Sequence, residues 1–409
     1  MNMAISHKHS FWGIEMSTYR LRRFSYPDTL RAIAPERLRA FLQPYASYLS
    51  NRGVSLSANP GALDFDRLAA IFLLPDSSTP AELIDALSLV DEMSSLESMD
   101  ALLEEASRCG LKLDLGGVLS PADVALQIWT RNRALLERLH AQQLVIKARS
   151  YESYHTDQKL PKLAKPAPTQ LRALEQSLSA WFEERNRGRA IRILTYEQDD
   201  ALWFLVGHGE PFKREECFNG DQPSCVCYRP LKYDVIVYHR SIGELQINAR
   251  SKTLKNLYRK LIGQHIFSND NFFPGTAKFS LEPLRQQGRD ALNCLDVDGM
   301  EWVRLREVRL FWGGDQSVLT IRRADDLFEA WKVTNKSIPA APRLVGAVFQ
   351  VKFADARKPR SVIIQPSNIA RYTRDADSAL VERWLGRRGF LISTARHAHE
   401  PAPTAMVGT

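Results

Sequence analysis

The sequence predicts an α+β protein, an N-terminal all-α helical bundle followed by a mostly antiparallel sheet domain with packed helices. Residues 35 to 143 repeat apolar side chains at helical spacing between capping signals, and residues 191 to 365 fall into paired apolar runs joined by short turns. Between them DQKLPKLAKPAPT, with Pro161, Pro166 and Pro168, forbids regular helix. The expected domains are a helical domain over 16–156, a linker over 157–168 and an α+β domain over 169–392. Residues 1–15 and 393–409 are expected to be a disordered extension and tail.

In the helical part, Thr79-Pro80-Ala81-Glu82 and Ser120-Pro121-Ala122-Asp123 each offer a hydroxyl, a proline and an acid in the order that starts a helix. Leu83, Ala86, Leu87 and Val90 follow the first, and Val124, Ile128 and Trp129 the second. Pro35 to Asn51, Phe65 to Leu74, Leu96 to Arg108 and Arg133 to Gln143 complete five to seven helices. The acids Asp91, Glu92, Glu97, Asp100, Glu104 and Glu105 read either as a solvated helix surface or as a docking face for a protein partner.

The second part opens with a helix from Gln170 to Asn186. Ile191 to Tyr196 with Leu202 to Val206, Val303 to Trp312 with Val318 to Arg322, and Ala347 to Phe353 with Ser361 to Gln365 are then expected to pair as hairpins. Loops this short exclude parallel crossovers. Between the first two pairs, residues 229 to 267 read as a hairpin with a break at Gly243, feeding a helix with Leu254, Leu257, Tyr258, Leu261 and Ile262 on one side. Asp377 to Leu385 is the last expected helix.

Composition narrows the function classes. The longest apolar run, Leu68 to Leu74, falls far short of the ~20 residues that cross a bilayer, so no membrane partner is expected. Five cysteines, unevenly spread, do not form a disulfide framework, which points to a reducing cytoplasm. Residues 1 to 150 hold 16 Lys+Arg against 17 Asp+Glu, and the rest hold 39 against 30. The positive balance is thus confined to the second part, where it suggests an anionic partner.

Asp234, Glu244 and Gln246 on two strands before a basic helix resemble the PD-(D/E)xK nuclease superfamily. That resemblance implies a divalent metal held by the acids, with glutamine where the superfamily places lysine. A two-residue turn at Ser241-Ile242 would place Glu244 opposite His239 and send Asp234 and Glu244 to opposite sides of the sheet. Both acids then read as exposed strand-end groups. Cys217, Cys225 and Cys227 are the candidate metal ligands, although their spacing departs from the paired spacing of zinc sites, and no metal is expected. His208-Gly209-Glu210 is a candidate acid/base pair. The phosphate-loop, dinucleotide, nucleophile-elbow and zincin motifs are missing from the sequence, so no cofactor is expected.

Distributed positive charge remains. Lys252, Lys255, Arg259 and Lys260 on the basic helix, Arg322 and Arg323 at a strand end, Arg357, Lys358 and Arg360 at a hairpin tip, and Arg371, Arg374, Arg387 and Arg388 near the C-terminus are expected to contact phosphates. Tyr258, Phe272, Phe273 and Tyr372 would supply stacking. The sequence therefore favours a non-catalytic nucleic-acid-binding protein. The alternatives are a scaffold subunit docking through its helical domain and a divergent metal-dependent nuclease.

Overall fold

The computed structural model describes residues 21–392, apart from 57–62, 77, 117–118, 147, 162–164, 199 and 220. The expected extension 1–15 and tail 393–409 lie outside the described residues. The chain divides into two compact units, one of residues 1–142 with 218–224 and the other of 143–217 with 225–409.

The first unit holds α1 (Pro27–Arg31), α2 (Pro35–Leu42), α3 (Ala46–Asn51), α4 (Phe65–Leu73), α5 (Ala81–Met93), α6 (Leu96–Arg108), α7 (Pro121–Arg131) and most of α8 (Arg133–Ile146). Leu38, Leu68, Phe72, Leu87, Val90, Leu102, Val124 and Leu136 share its core. The Ser120 hydroxyl accepts from the Asp123 N–H at 3.1 Å, as its motif predicts. The Thr79 motif behaves differently. Pro80 is the N-cap of α5, while the Thr79 hydroxyl accepts from the Asp76 N–H at 2.9 Å, because an earlier turn competes for it.

The acidic cluster is only partly a solvated surface. Asp91 is buried and accepts the backbone N–H groups of Arg22, Arg23 and Phe24 at 2.9, 2.7 and 2.8 Å. It satisfies donors that would otherwise be stranded at the entry to the bundle. Glu105 is held by Arg108 and Arg138, and Glu92 by His140, whereas Glu97, Asp100 and Glu104 face outward.

The second unit is built on a ten-stranded sheet. In chain order it contains β1 (Ser150–His155), α9 (Pro168–Glu183), β2 (Ile191–Gln198), β3 (Ala201–Gly209) and the parts of β4 (Lys213–Asn219) and β5 (Gln222–Tyr228) outside residues 218–224. There follow β6 (Leu231–His239), β7 (Glu244–Asn248), α10 (Lys252–Phe267), α11 (Glu282–Gln286), β8 (Met300–Gly313) and β9 (Val318–Arg323). Last come α12 (Leu327–Thr334), β10 (Arg343–Phe353), β11 (Arg360–Gln365), β12 (Ile369–Arg371) and α13 (Arg374–Arg387). The order across the sheet is β2-β3-β6-β7-β1-β12-β11-β10-β8-β9, with every described pairing antiparallel, and β4-β5 form a separate ribbon. His239 pairs with Glu244, the register expected of the Gly243 hairpin, and Gly243 takes φ 64° in the turn.

One expectation is corrected here. The segment assigned to the end of the helical domain supplies β1, the strand that joins the two halves of the sheet, so the division between units falls at Gln142/Gln143 rather than at the prolines. The proline-containing segment connects β1 to α9 inside the second unit. Tyr151, Glu152, Ser153 and Tyr154 are all buried, so β1 lacks the one-sided alternation by which a strand is recognised.

The helices occupy opposite faces in the two halves. Tyr154, Leu245, Ile247, Ile236 and Phe204 pack with Leu174 and Phe182 of α9 and Leu254 and Tyr258 of α10. In the other half, Leu305, Ala347, Phe349, Ile364 and Ala370 pack with Leu327 and Trp331 of α12 and Val381 and Trp384 of α13. Tyr151, opposite Ala370, and Tyr154, opposite Leu245, differ by an odd number of residues, and so lie on opposite faces of β1. Each half therefore leaves its other face outside these two cores.

Candidate nucleic-acid interface

The residues expected to hold a metal are separated by the sheet itself. Asp234 shares a face with Ile236 and α10, where its carboxylate accepts from the Tyr258 hydroxyl at 2.9 Å and lies 3.0 Å from His208 Nε2. Burial, and then the Asp234 charge, push the Tyr258 pKa well up. Glu244 and Gln246 alternate with Leu245 and Ile247 and so project from the opposite face. Burial opposes the Glu244 charge, yet Lys278 at 2.7 Å outweighs it, helped by His239 and by the Gln246 amide at 2.6 Å, and holds the carboxyl at about 2. Both acids are buried, not exposed at strand ends as expected, because each is matched by a buried partner.

His208 is also buried, stacked on Phe182 at 4.4 Å, and Glu210 is held near Arg250 and Arg187. A Cβ on Gly209 would fall 2.2 Å from the Arg187 carbonyl, so close backbone packing accounts for the glycine between them. Cys217 is half-buried on β4, and Cys225 and Cys227 are exposed on β5. Among the described residues no three His, Cys, Asp or Glu side chains are grouped to hold a metal ion.

The basic helix α10 is not a free cationic stripe. Lys255 reaches Glu152 of β1 at 3.0 Å, and Arg259 lies over the Tyr154 ring at 5.0 Å. Burial works against the Glu152 charge, but the Tyr154 hydroxyl at 2.6 Å and Lys255 overcome it and keep its carboxyl below the ordinary range. Lys252 and Lys260 are exposed, the latter 3.6 Å from Asp270. Tyr258, Phe272, Phe273 and Tyr372, expected to stack on bases, are core residues. Arg322 turns to the helix side over Trp331, and Arg387 and Arg388 engage Asp296. Arg357 and Lys358 are exposed between β10 and β11, and the Arg374 side chain lies outside the described residues.

Positive charge gathers instead on the face of the second half that its helices leave open. Strand pairing sets Arg323, Glu307, Val348, Ile363, Arg371 and Ser150 side by side in one row across β9, β8, β10, β11, β12 and β1. With neighbouring strands ~4.8 Å apart, that row is roughly 24 Å long. Glu307 is clasped by Arg309 and Arg323, each through a 2.7 Å bond. Burial pushes its carboxyl up, but these arginines hold it below its ordinary value. Two exposed arginines lie on aromatic rings of the same face, Arg304 on Trp302 at 4.3 Å and Arg343 on Phe311 at 5.4 Å.

No protein-family model and no curated protein matches this chain. The reading of the face therefore rests on its chemistry.

Arg304, Arg309, Arg343, Trp302 and Phe311 are absent from the sequence-based expectation, whereas Arg323 and Arg371 belong to it. The alternation Trp302, Arg304 against Val303, Leu305 is legible in the sequence, but the bulge between Leu305 and Glu307 shifts the period, so Arg309 cannot be assigned to the same face without the pairing.

Proposed function

We propose that the second unit binds a nucleic-acid strand on this open face, phosphates meeting the arginines and bases stacking on the half-buried rings. The two arginine-aromatic pairs, Arg304 with Trp302 and Arg343 with Phe311, carry the reading, because they put a phosphate donor beside a stacking surface at two places on one sheet. Glu307, the acid in the central row, is already neutralised by two arginines. Exposed Leu319 and Ile321 on β9 extend the apolar part of the face. Five free thiols suit work in a reducing compartment such as the cytoplasm. Among the described residues no helix is long and apolar enough to cross a membrane.

Salt-titrated binding to single- and double-stranded DNA and RNA tests the proposal. Arg304→Glu with Arg343→Glu should weaken binding to all sequences and flatten the slope of log K against log salt by roughly 0.7 to 0.9 per lost phosphate contact. Trp302→Ala should weaken it by about 1–3 kcal/mol, with the strongest effect on single strands. Unchanged affinity and slope in the folded double variant would refute the reading.

A further inference from the structure

The open face is interrupted beside β12. That strand has only three residues, and its last, Arg371, pairs with Ile363 of β11 and Ser150 of β1. Residues 360 to 362 run past it, while Tyr372 turns away with its N–H donating to the Arg149 carbonyl at 3.1 Å. A notch of about 440 Å³ results, lined by Arg149, Arg360, Ser361, Arg371, Tyr372 and Thr373.

Two separate segments thus deliver a guanidinium each, from Arg149 and Arg371, and Ser361 and Thr373 add hydroxyls, while Arg360, paired with Val351 of the helix-packed face, turns towards α13. Asp377 of α13 answers the Arg360 charge. Burial draws the Arg371 pKa down and the Arg309 guanidinium draws it further. Thr373 precedes α13 without its side chain capping the helix.

We propose that the notch seats a phosphomonoester, the terminal phosphate of the strand lying on the open face. The proposal rests on the nucleic-acid reading above. The notch is bounded by β11 on one side, the chain entering β1 on the other, and Tyr372 and Thr373 between them. A phosphate with one ester link can enter such a recess end-on, whereas an internal phosphodiester needs two exits. The monoester also carries about −1.5 to −2 charge with three strong acceptor oxygens, which suits two guanidinium forks better than a diester. Ser361 shares a cross-strand row with Gln350 and Arg304, so a strand anchored in the notch is led towards the Arg304-Trp302 pair.

The test compares one single-stranded oligonucleotide bearing a 5′-phosphate, a 3′-phosphate or hydroxyls at both ends, by fluorescence anisotropy with a label at an internal position. One phosphorylated form should bind about tenfold tighter or more than the hydroxyl form, and Arg371→Gln should erase that preference, a larger loss than the one it causes for the hydroxyl-ended strand. Arg149→Gln, on an exposed side chain, makes the same test if the Arg371 variant does not fold. Equal affinity for all three forms would overturn the notch proposal and leave the open-face reading standing. Failure of all three to bind would overturn both.

Discussion

Replacing Lys278 with methionine should damage the second unit more than any surface change, and in a pH-dependent way. Its ammonium lies 2.7 Å from Glu244 with both side chains almost fully buried, and 3.8 Å from Glu382 of α13. The Glu244 carboxyl is held at about 2 against an ordinary value of 4.5. At about 1.4 kcal/mol per pH unit, that difference amounts to about 3 kcal/mol of stability near neutrality. Because the folded value is depressed, this contribution is full above about pH 4.5 and is lost as pH falls towards about 2.

Without the lysine, Glu244 is left as a buried charge facing mainly the cost of burial, so Lys278→Met should lose roughly 3–5 kcal/mol at neutral pH. Burial then raises the carboxyl above its ordinary value, the folded state takes up a proton, and the deficit against the native protein should narrow as pH is lowered. Glu244→Gln in the same chain removes the stranded charge and should recover much of the loss. Urea unfolding at several pH values, with hydrogen exchange of the β7 amides assigning the change to this region, measures both effects. A loss under about 1 kcal/mol, or a deficit that does not vary with pH, would refute the reasoning.

Asp91→Ala should strand three backbone donors where the chain enters the helical unit, costing on the order of 3 kcal/mol or more and exposing the segment before α1 to protease. Tyr258→Phe removes a 2.9 Å bond to the buried Asp234 carboxylate and should cost roughly 1.5–3 kcal/mol in chemical denaturation, with a loss near zero counting against the network. A thiol-reactive dye should label Cys109, Cys217, Cys225 and Cys227 in the native protein and Cys294 only after unfolding. Early labelling of Cys294 would contradict its burial beneath β8 and α13.

The sequence by itself determined the local elements whose signals are local. The Ser120 cap, the α6 span, the Gly243 hairpin and the apolar stripe of α10 all depend on residues within a few positions of one another, so propensity, capping and period suffice to read them. The α+β class followed from the same signals. The separation of Asp234 from Glu244 across the sheet was also legible, since a hairpin's register fixes which residues share a face.

Tertiary structure decided the rest. SYESYH becomes the joining strand only because β7 and β12 pair with it, and both of its faces are buried by parts of the chain distant in sequence. Lys255 looks like a solvated cation on its helix, yet Glu152, more than a hundred residues earlier, is brought beneath it. The arginines of the open face come from strands spread over many residues, and a bulge breaks the alternation that would connect them. Charge counts report how much positive charge a segment carries. Where that charge converges is set by strand order and register, which arise from long-range pairing that no local window contains.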